Sequence, residues 1–190
     1  MTRLKFNNLL IFFIIVTIIS ACRDVAVPKP LGYYRIDLPA HDYIKLNDSL
    51  AKANNLPVSF EYPSYGKLSF EHDSYSGPGW FNIIFPPYKA KIYLTYLAIK
   101  NDLEELMEQT YKLNVKNHII KADAINEQMI SDPQKNMYGI LYDLRGNTAT
   151  AVQFFVTDSI KHYLRGSLYF SSAPNADSLA PVIGFFRDDI

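Results

Sequence analysis

The stretch of sequence that decides the fold is residues 138–170, which read YGILYDLRGNTATAVQFFVTDSIKHYLRGSLYF. Two apolar runs, 138–144 and 148–157, flank the tripeptide Arg145-Gly146-Asn147. A short loop that contains glycine between two such runs is typical of a β-hairpin. A third run, 162–170, predicts a further strand.

Upstream segments show the alternation of a half-buried strand. In residues 91–96, Ile92, Leu94 and Tyr96 alternate with the other three side chains, which is the period of two that a strand requires. The 14 tyrosines and 12 phenylalanines also favour a β-containing fold. Further strand candidates are residues 59–62, 67–70 and 80–85.

Two segments show features of helices. Asn101 is placed to cap the first, with Glu104 three residues later as the reciprocal partner of a capping box. The second begins near Asp177-Ser178 and carries Pro181 in its first turn. Residues 119–128 fit either an edge strand or a short helix. The expected buried side chains are Leu103, Leu106, Met107 and Thr110 in the first helix, and Leu179, Val182 or Ile183, and Phe186 in the second.

This order of elements predicts an α+β fold, a mainly antiparallel sheet with packed helices. The succession of strand, hairpin, strand and helix at the end of the chain resembles the PsbP/Mog1-like α/β sandwich. That likeness concerns the fold and carries no activity.

The N-terminus has the parts of a lipoprotein signal peptide. Arg3 and Lys5 form a positive head, an apolar run occupies residues 9–19, and the segment closes on Ser20-Ala21-Cys22. A membrane-spanning anchor is the alternative, but the run is shorter than the about 20 apolar residues that a span needs. Cys22 is the only cysteine and stands where lipoprotein processing requires a thiol. We therefore expect it to be lipid-modified and to bind the membrane.

The chain is expected to divide into a signal peptide (1–21), a lipidated N-terminus with a proline-bearing tether (22–39), and a single globular α+β domain (40–190). Arg23 follows Cys22 in place of the aspartate that retains many lipoproteins in the inner membrane. This favours the outer membrane, facing the periplasm. Without Arg3 and Lys5, 17 basic residues remain against 19 acidic ones. Because no basic face is clustered, a nucleic acid is not an expected partner.

Few residues fit a catalytic or metal site. The motifs of serine hydrolases, P-loop proteins and zinc proteases are missing from the sequence. Glu71-His72-Asp73 groups ionisable side chains, but neighbours on a strand point to opposite faces, so a solvated turn fits better. Asp158, Ser159 and His162 suggest a nucleophile with its base, or else residues that cap a turn. We predict no catalytic residue, no metal ligand and no cofactor.

Aromatic side chains are the candidates for contact with a partner. Trp80 is the only tryptophan and follows the turn-forming residues 77–79. It fits either a binding anchor carried by a loop or a core residue that opens a strand. Tyr62, Tyr65 and Tyr75 are the other members of this candidate surface.

Segments spread over nearly the whole chain after Cys22 carry a family resemblance. They are PKPLGYYRIDLP at 28–39, FEYP at 60–63, WFNI at 80–83, KAKIYL at 89–94, HIIKADAI at 118–125, YGILYD at 138–143, QFFVTDS at 153–159, LRGSLYF at 164–170, PN at 174–175 and DSL at 177–179. The set resembles the gliding-motility lipoprotein GldD family. Members of that family often run past the point where this chain stops at Ile190, so we expect a short last helix.

The resemblance implies a cell-envelope lipoprotein that is needed for gliding and is linked to the type IX secretion system that exports adhesins. It brings no catalytic residue. One interpretation is a non-enzymatic component that binds other motility or secretion proteins. The alternative is an envelope hydrolase or carbohydrate-binding lipoprotein with an unrecognised site. The geometry of Asp158, Ser159 and His162, and of Glu71-His72-Asp73, distinguishes the two.

Overall fold

A computed structural model describes residues 35–70, 77, 79–173 and 175–190 of the chain. The strands are β1 (Tyr43–Lys45), β2 (Glu61–Pro63), β3 (Lys67–Ser69), β4 (Trp80–Phe85), β5 (Ala90–Ala98), β6 (Ala124–Asp132), β7 (Met137–Arg145), β8 (Thr150–Thr157) and β9 (His162–Phe170). The helices are α1 (Asp48–Ala53), α2 (Leu103–Tyr111), which continues into a π-helical turn over Lys112–Lys116, and α3 (Ala176–Asp188).

Seven strands form one antiparallel sheet in the order β3-β4-β5-β9-β8-β7-β6. The predicted hairpin is confirmed: β7 and β8 pair on either side of a turn in which Gly146 has a φ of 99°, a conformation that glycine adopts without strain. Strand β5 pairs with β9, from Ala90 opposite Phe170 to Ala98 opposite His162. This pairing joins the two parts of the sheet, although the two strands are far apart in the sequence. The predicted α+β fold with a mainly antiparallel sheet is therefore confirmed.

The two faces of the sheet bury different cores. On the first, which we call the α3 face, Phe81, Phe85 and Leu168 pack with Val182 and Phe186 of α3. On the second, the α2 face, the buried side chains of the sheet pack with those of α2 and its π-helical turn, namely Tyr142, Leu144, Phe155, Tyr163, Leu106 and Val115. Because strand residues alternate between faces, strands β7, β8 and β9 contribute to both cores.

Helix α2 begins one residue later than the capping motif predicts. Asn101 has a φ of 62°, and the residue that precedes the helix is Asp102. The Asp102 carboxylate does not cap the helix, since it accepts a hydrogen bond from the Lys100 amide at 2.7 Å. The predicted Asn101–Glu104 capping box is therefore wrong. Of the residues expected on one buried face, Leu106 and Thr110 are fully buried and Leu103 is partly buried, but Met107 is 40% exposed, so its expected burial is wrong.

Helix α3, by contrast, starts slightly earlier than expected, at Ala176. Asn175 caps it by accepting a hydrogen bond from the Ser178 amide at 3.2 Å. Pro181 consequently lies inside the helix rather than in its first turn, and it has no N–H to donate to the preceding turn. The helix continues past it because Val182 and Phe186 are buried against the sheet. Tertiary packing outweighs the lost hydrogen bond.

Strand pairing decides the structure of the two remaining segments, 119–128 and 59–62. The ambiguous segment 119–128 divides into a turn and the start of β6, an edge strand. The candidate at 59–62 corresponds to β2, which pairs with β1 outside the main sheet. Strand β1 and helix α1 are not predicted from the sequence, because both are short.

Candidate functional site

The α2 face leaves a groove between α2 and the β6 edge of the sheet, which we call the apolar cleft. Its volume is about 600 Å³. The residues that line it are Leu103, Glu104, Met107, Glu108, Tyr111, Glu127, Ile140, Tyr142 and Phe155. Met107 is 40% exposed, and Met129, which pairs with Ile140, is 82% exposed. A soluble surface rarely groups large apolar side chains in this way without a contact to make.

The helix side of the cleft follows from spacing along α2. Met107 and Tyr111 are four residues apart and therefore share one helix face, next to the face that buries Leu106 and Thr110. On the opposite side, β6 is an edge strand and carries unpaired backbone groups along its outer edge. The cleft thus combines apolar side chains with a strand that can pair further.

The charged groups of the cleft are all acidic. Glu108 forms an ion pair with Lys112 at 2.7 Å, and the hydrogen bond from Lys112 lowers the pKa of the Glu108 carboxyl. Within the described part of the chain, Glu104 and Glu127 have no cation within ion-pair distance. A partner would therefore meet an apolar groove flanked by two carboxylates without counter-ions.

A second hollow lies on the same face, between the π-helical turn and strands β4, β5 and β9. We call it the polar pocket. Trp80, Tyr93 and Tyr169 are its aromatic lining residues, and Gln153 and Arg165 are among its polar ones. Trp80 opens β4 as a strand residue, yet its side chain is exposed rather than buried in the core.

The predicted aromatic surface is split between the two faces of the sheet. Tyr62 and Tyr65 pack against the core of the α3 face, and the Tyr65 hydroxyl donates to Asp189. Burial, and then this hydrogen bond, raise the pKa of Tyr65. Trp80 points to the opposite face, and Tyr75 lies outside the described residues. The structure does not bring Trp80 together with Tyr62 and Tyr65.

Asp158, Ser159 and His162 build a turn between β8 and β9. The Asp158 carboxylate accepts hydrogen bonds from the amides of residues 160, 161 and 162 at 3.0, 2.8 and 2.8 Å. Burial opposes its ionisation, but these donors outweigh burial and lower the pKa of Asp158 to about 2. His162 instead contacts the Tyr96 hydroxyl through Nδ1 at 2.9 Å. The arrangement is that of a capped turn.

The remaining predicted positions lie outside the described residues. These are Cys22 and Glu71-His72-Asp73. Among the residues that the structure does describe, no group of three or more histidine, cysteine, aspartate or glutamate side chains could hold a metal ion. No helix in that same part is long and apolar enough to cross a membrane.

Comparison with protein families identifies the chain. The model of the family described as gliding motility lipoprotein GldD matches residues 23–190. The chain belongs to this family. The resemblance carried by the sequence segments is therefore confirmed, and GldD membership makes the chain a gliding motility lipoprotein with a lipid anchor in the cell envelope. No curated protein matches the chain.

Sequence reasoning missed both hollows of this GldD protein. The sequence places Met107 on the face of α2 that is expected to be buried, and the spacing of Met107 and Tyr111 is the signal that could have indicated an exposed apolar face. The polar pocket gave no such signal, because its residues come from positions 80 to 169 and meet only through strand pairing.

Proposed function

We propose that this GldD protein is a non-enzymatic component of the motility and adhesin-secretion machinery that binds another envelope protein through the apolar cleft. The observation that carries the proposal is the exposed Met107 in a cleft that the carboxylates of Glu104 and Glu127 also line, with the exposed Met129 on the neighbouring edge strand β6. This chemistry fits a segment of the partner that carries apolar side chains and at least one lysine or arginine. The free edge of β6 offers backbone hydrogen bonds to the same segment.

Lipidation of Cys22 is the second part of the proposal. A multiply acylated cysteine would hold the protein at the outer membrane, facing the periplasm, and would confine it to the layer in which its partners lie. Confinement raises the effective concentration of membrane-bound partners without any new contact. The residue directly after Cys22 is Arg23 and not the aspartate that retains many lipoproteins in the inner membrane, which supports the outer membrane as the destination.

We also propose that the domain has the PsbP/Mog1-like fold. An antiparallel sheet with α2 on one face and α3 on the other supports a PsbP/Mog1-like α/β sandwich. Superposition of an experimental structure on members of that fold tests the assignment.

Site-specific crosslinking in gliding cells tests the cleft. A photoreactive amino acid placed at Met107 or Met129 should capture a motility or secretion protein. Leu50 is the matched control position, because it is also 40% exposed but lies on α1. Equal capture from Leu50, or none from either methionine, would contradict the proposal.

Charge reversal gives an independent test. Glu127→Arg should abolish the crosslink and slow gliding, because the partner's cation would face a like charge. Glu61→Arg is the control, since Glu61 is also an exposed strand residue but lies on β2. Gliding that responds equally to both variants would argue against recognition through the cleft.

A further inference from the structure

The polar pocket has a volume of about 660 Å³, large enough for a ligand of two or three sugar rings. It is lined by Trp80, Asn82, Tyr93, Leu94, Thr95, Leu113, Asn114, Asn117, His118, Gln153, Arg165, Gly166, Ser167 and Tyr169. It is separate from the apolar cleft, since the two share no lining residue.

Two buried amide groups in the pocket have unused hydrogen-bond donors. Asn114 is 4% exposed and Gln153 is 3% exposed, and neither Asn114 Nδ2 nor Gln153 Nε2 has a partner in the described part of the chain. The Ser167 hydroxyl donates to Gln153 Oε1 at 3.2 Å, which fixes the amide with its NH₂ group free. Because an unpaired buried donor destabilises the fold, donors that remain unpaired point to a ligand.

Arg165 adds a positive charge without a counter-ion. It is half-buried on β9, and burial lowers the pKa of its guanidinium. Among the described residues, the pocket lining includes no aspartate or glutamate, and no carboxylate lies within ion-pair distance of Arg165. A guanidinium in this situation favours a planar anionic group, which it can bind through two parallel hydrogen bonds.

Aromatic rings at the pocket provide flat apolar surface. Trp80 and Tyr93 are exposed, and the rings of Tyr93 and Tyr169 meet edge to face with centroids 5.5 Å apart. A saturated sugar ring presents C–H groups on one face and hydroxyls around its rim. Such a ring can pack its face on an aromatic side chain while its hydroxyls accept from the amide donors.

We propose that the polar pocket binds an acidic carbohydrate, a pyranose sugar that carries a carboxylate. The carboxylate pairs with Arg165, the ring hydroxyls accept hydrogen bonds from Asn114 and Gln153, and the ring packs against Trp80. A neutral sugar would leave the guanidinium unpaired. A peptide carboxylate would satisfy Arg165 but would bring fewer acceptors to the two amides.

Titration calorimetry on the full lipidated chain tests the proposal, in micelles of a detergent without a sugar headgroup. The probes are trigalacturonate, the neutral galactose trimer and an acetylated tripeptide with a free C-terminus. Trigalacturonate should bind at least about tenfold more tightly than either of the others, because its affinity includes the charge-assisted pair between a sugar carboxylate and Arg165 in addition to the sugar contacts. Absence of trigalacturonate binding, or equal binding of the neutral trimer or the tripeptide, overturns the proposal.

Variants locate the binding. Arg165→Gln should remove the tenfold preference for the acid, whereas Arg145→Gln, the same change at an exposed arginine outside the pocket, should retain it. Gln153→Glu is nearly isosteric and should repel the carboxylate, which provides a second test if Arg165→Gln does not fold. An unchanged preference in a folded Arg165→Gln or Gln153→Glu protein overturns the assignment. Failure here leaves the crosslinks from the apolar cleft unaffected, so the two proposals fail separately.

Discussion

One buried hydrogen bond joins α2 to the sheet, and its removal tests how the α2 face is held together. The Tyr163 hydroxyl donates to Thr110 Oγ1 at 2.8 Å, and both side chains are fully buried. A buried hydrogen bond contributes about 1 kcal/mol net, and a buried polar group left without a partner costs about 1–3 kcal/mol. We expect Tyr163→Phe to lower the free energy of unfolding by about 1–2 kcal/mol.

Thr110→Val is the matched change on the helix, because it removes the hydroxyl and keeps the branched shape of the side chain. It leaves the Tyr163 hydroxyl buried without its acceptor, so we expect a loss of about 1–3 kcal/mol. In the double variant neither hydroxyl remains. Its loss should therefore be smaller than the sum of the single losses, by about 1 kcal/mol.

Urea unfolding followed by far-ultraviolet circular dichroism measures these free energies, with tyrosine fluorescence as a second probe of two-state behaviour. Tyr138→Phe is the control, because Tyr138 is exposed on β7 and should change stability by less than about 0.5 kcal/mol. If the effects of Tyr163→Phe and Thr110→Val simply add, this hydrogen bond does not link α2 to the sheet.

Three further predictions concern other parts of the chain. Cys22→Ser should abolish incorporation of labelled palmitate, and labelling that persists would refute the lipidation site. Phe186→Ala should cost about 3–5 kcal/mol in urea unfolding, because the ring is fully buried and lies 4.6 Å from that of Phe85; a loss no greater than that of half-buried Phe185→Ala would contradict the packing of α3. The pKa of Asp158 is lowered from 3.8 to about 2, so its stabilising effect is present above pH 4 and disappears as the pH falls towards 2. The Asp158→Asn variant should therefore have a lower free energy of unfolding than wild type at pH 7, and this difference should shrink between pH 4 and pH 2. A difference that does not change with pH would refute the stabilising role of the Asp158 carboxylate.

Local patterns predicted the elements whose signals lie within a few residues. The loop around Gly146 indicated the hairpin, and the alternation in 91–96 indicated β5, since both depend on neighbouring side chains. Helix ends were predicted less well. Asn101 and Pro181 both carry a plausible local signal, but α2 starts after Asp102 and α3 continues through the proline. For α3, the burial of Val182 and Phe186 outweighs the local preference of the proline. For α2, the Asp102 carboxylate binds the Lys100 amide outside the helix, and the start shifts by one residue.

The candidate sites depended on contacts between distant residues. Trp80, Tyr62 and Tyr65 look alike in the sequence, and only the register of β4 against β5 places Trp80 on the face opposite the two tyrosines. Asn114 and Gln153 are ordinary polar residues in the sequence. They become unpaired buried donors only when the π-helical turn lies on the sheet.

The sequence by itself determined the family of this protein, its largely antiparallel strands and the expectation of a lipid at Cys22. These features reside in residues that are close along the chain or in motifs read one segment at a time. Tertiary structure alone decided that Met107 borders an open cleft rather than the core, and that Arg165 lines the same pocket as Trp80 and the buried amides of Asn114 and Gln153. The physical reason is that strand register and helix packing set which side chains are buried together, and both depend on pairings such as β5 with β9 that span much of the chain.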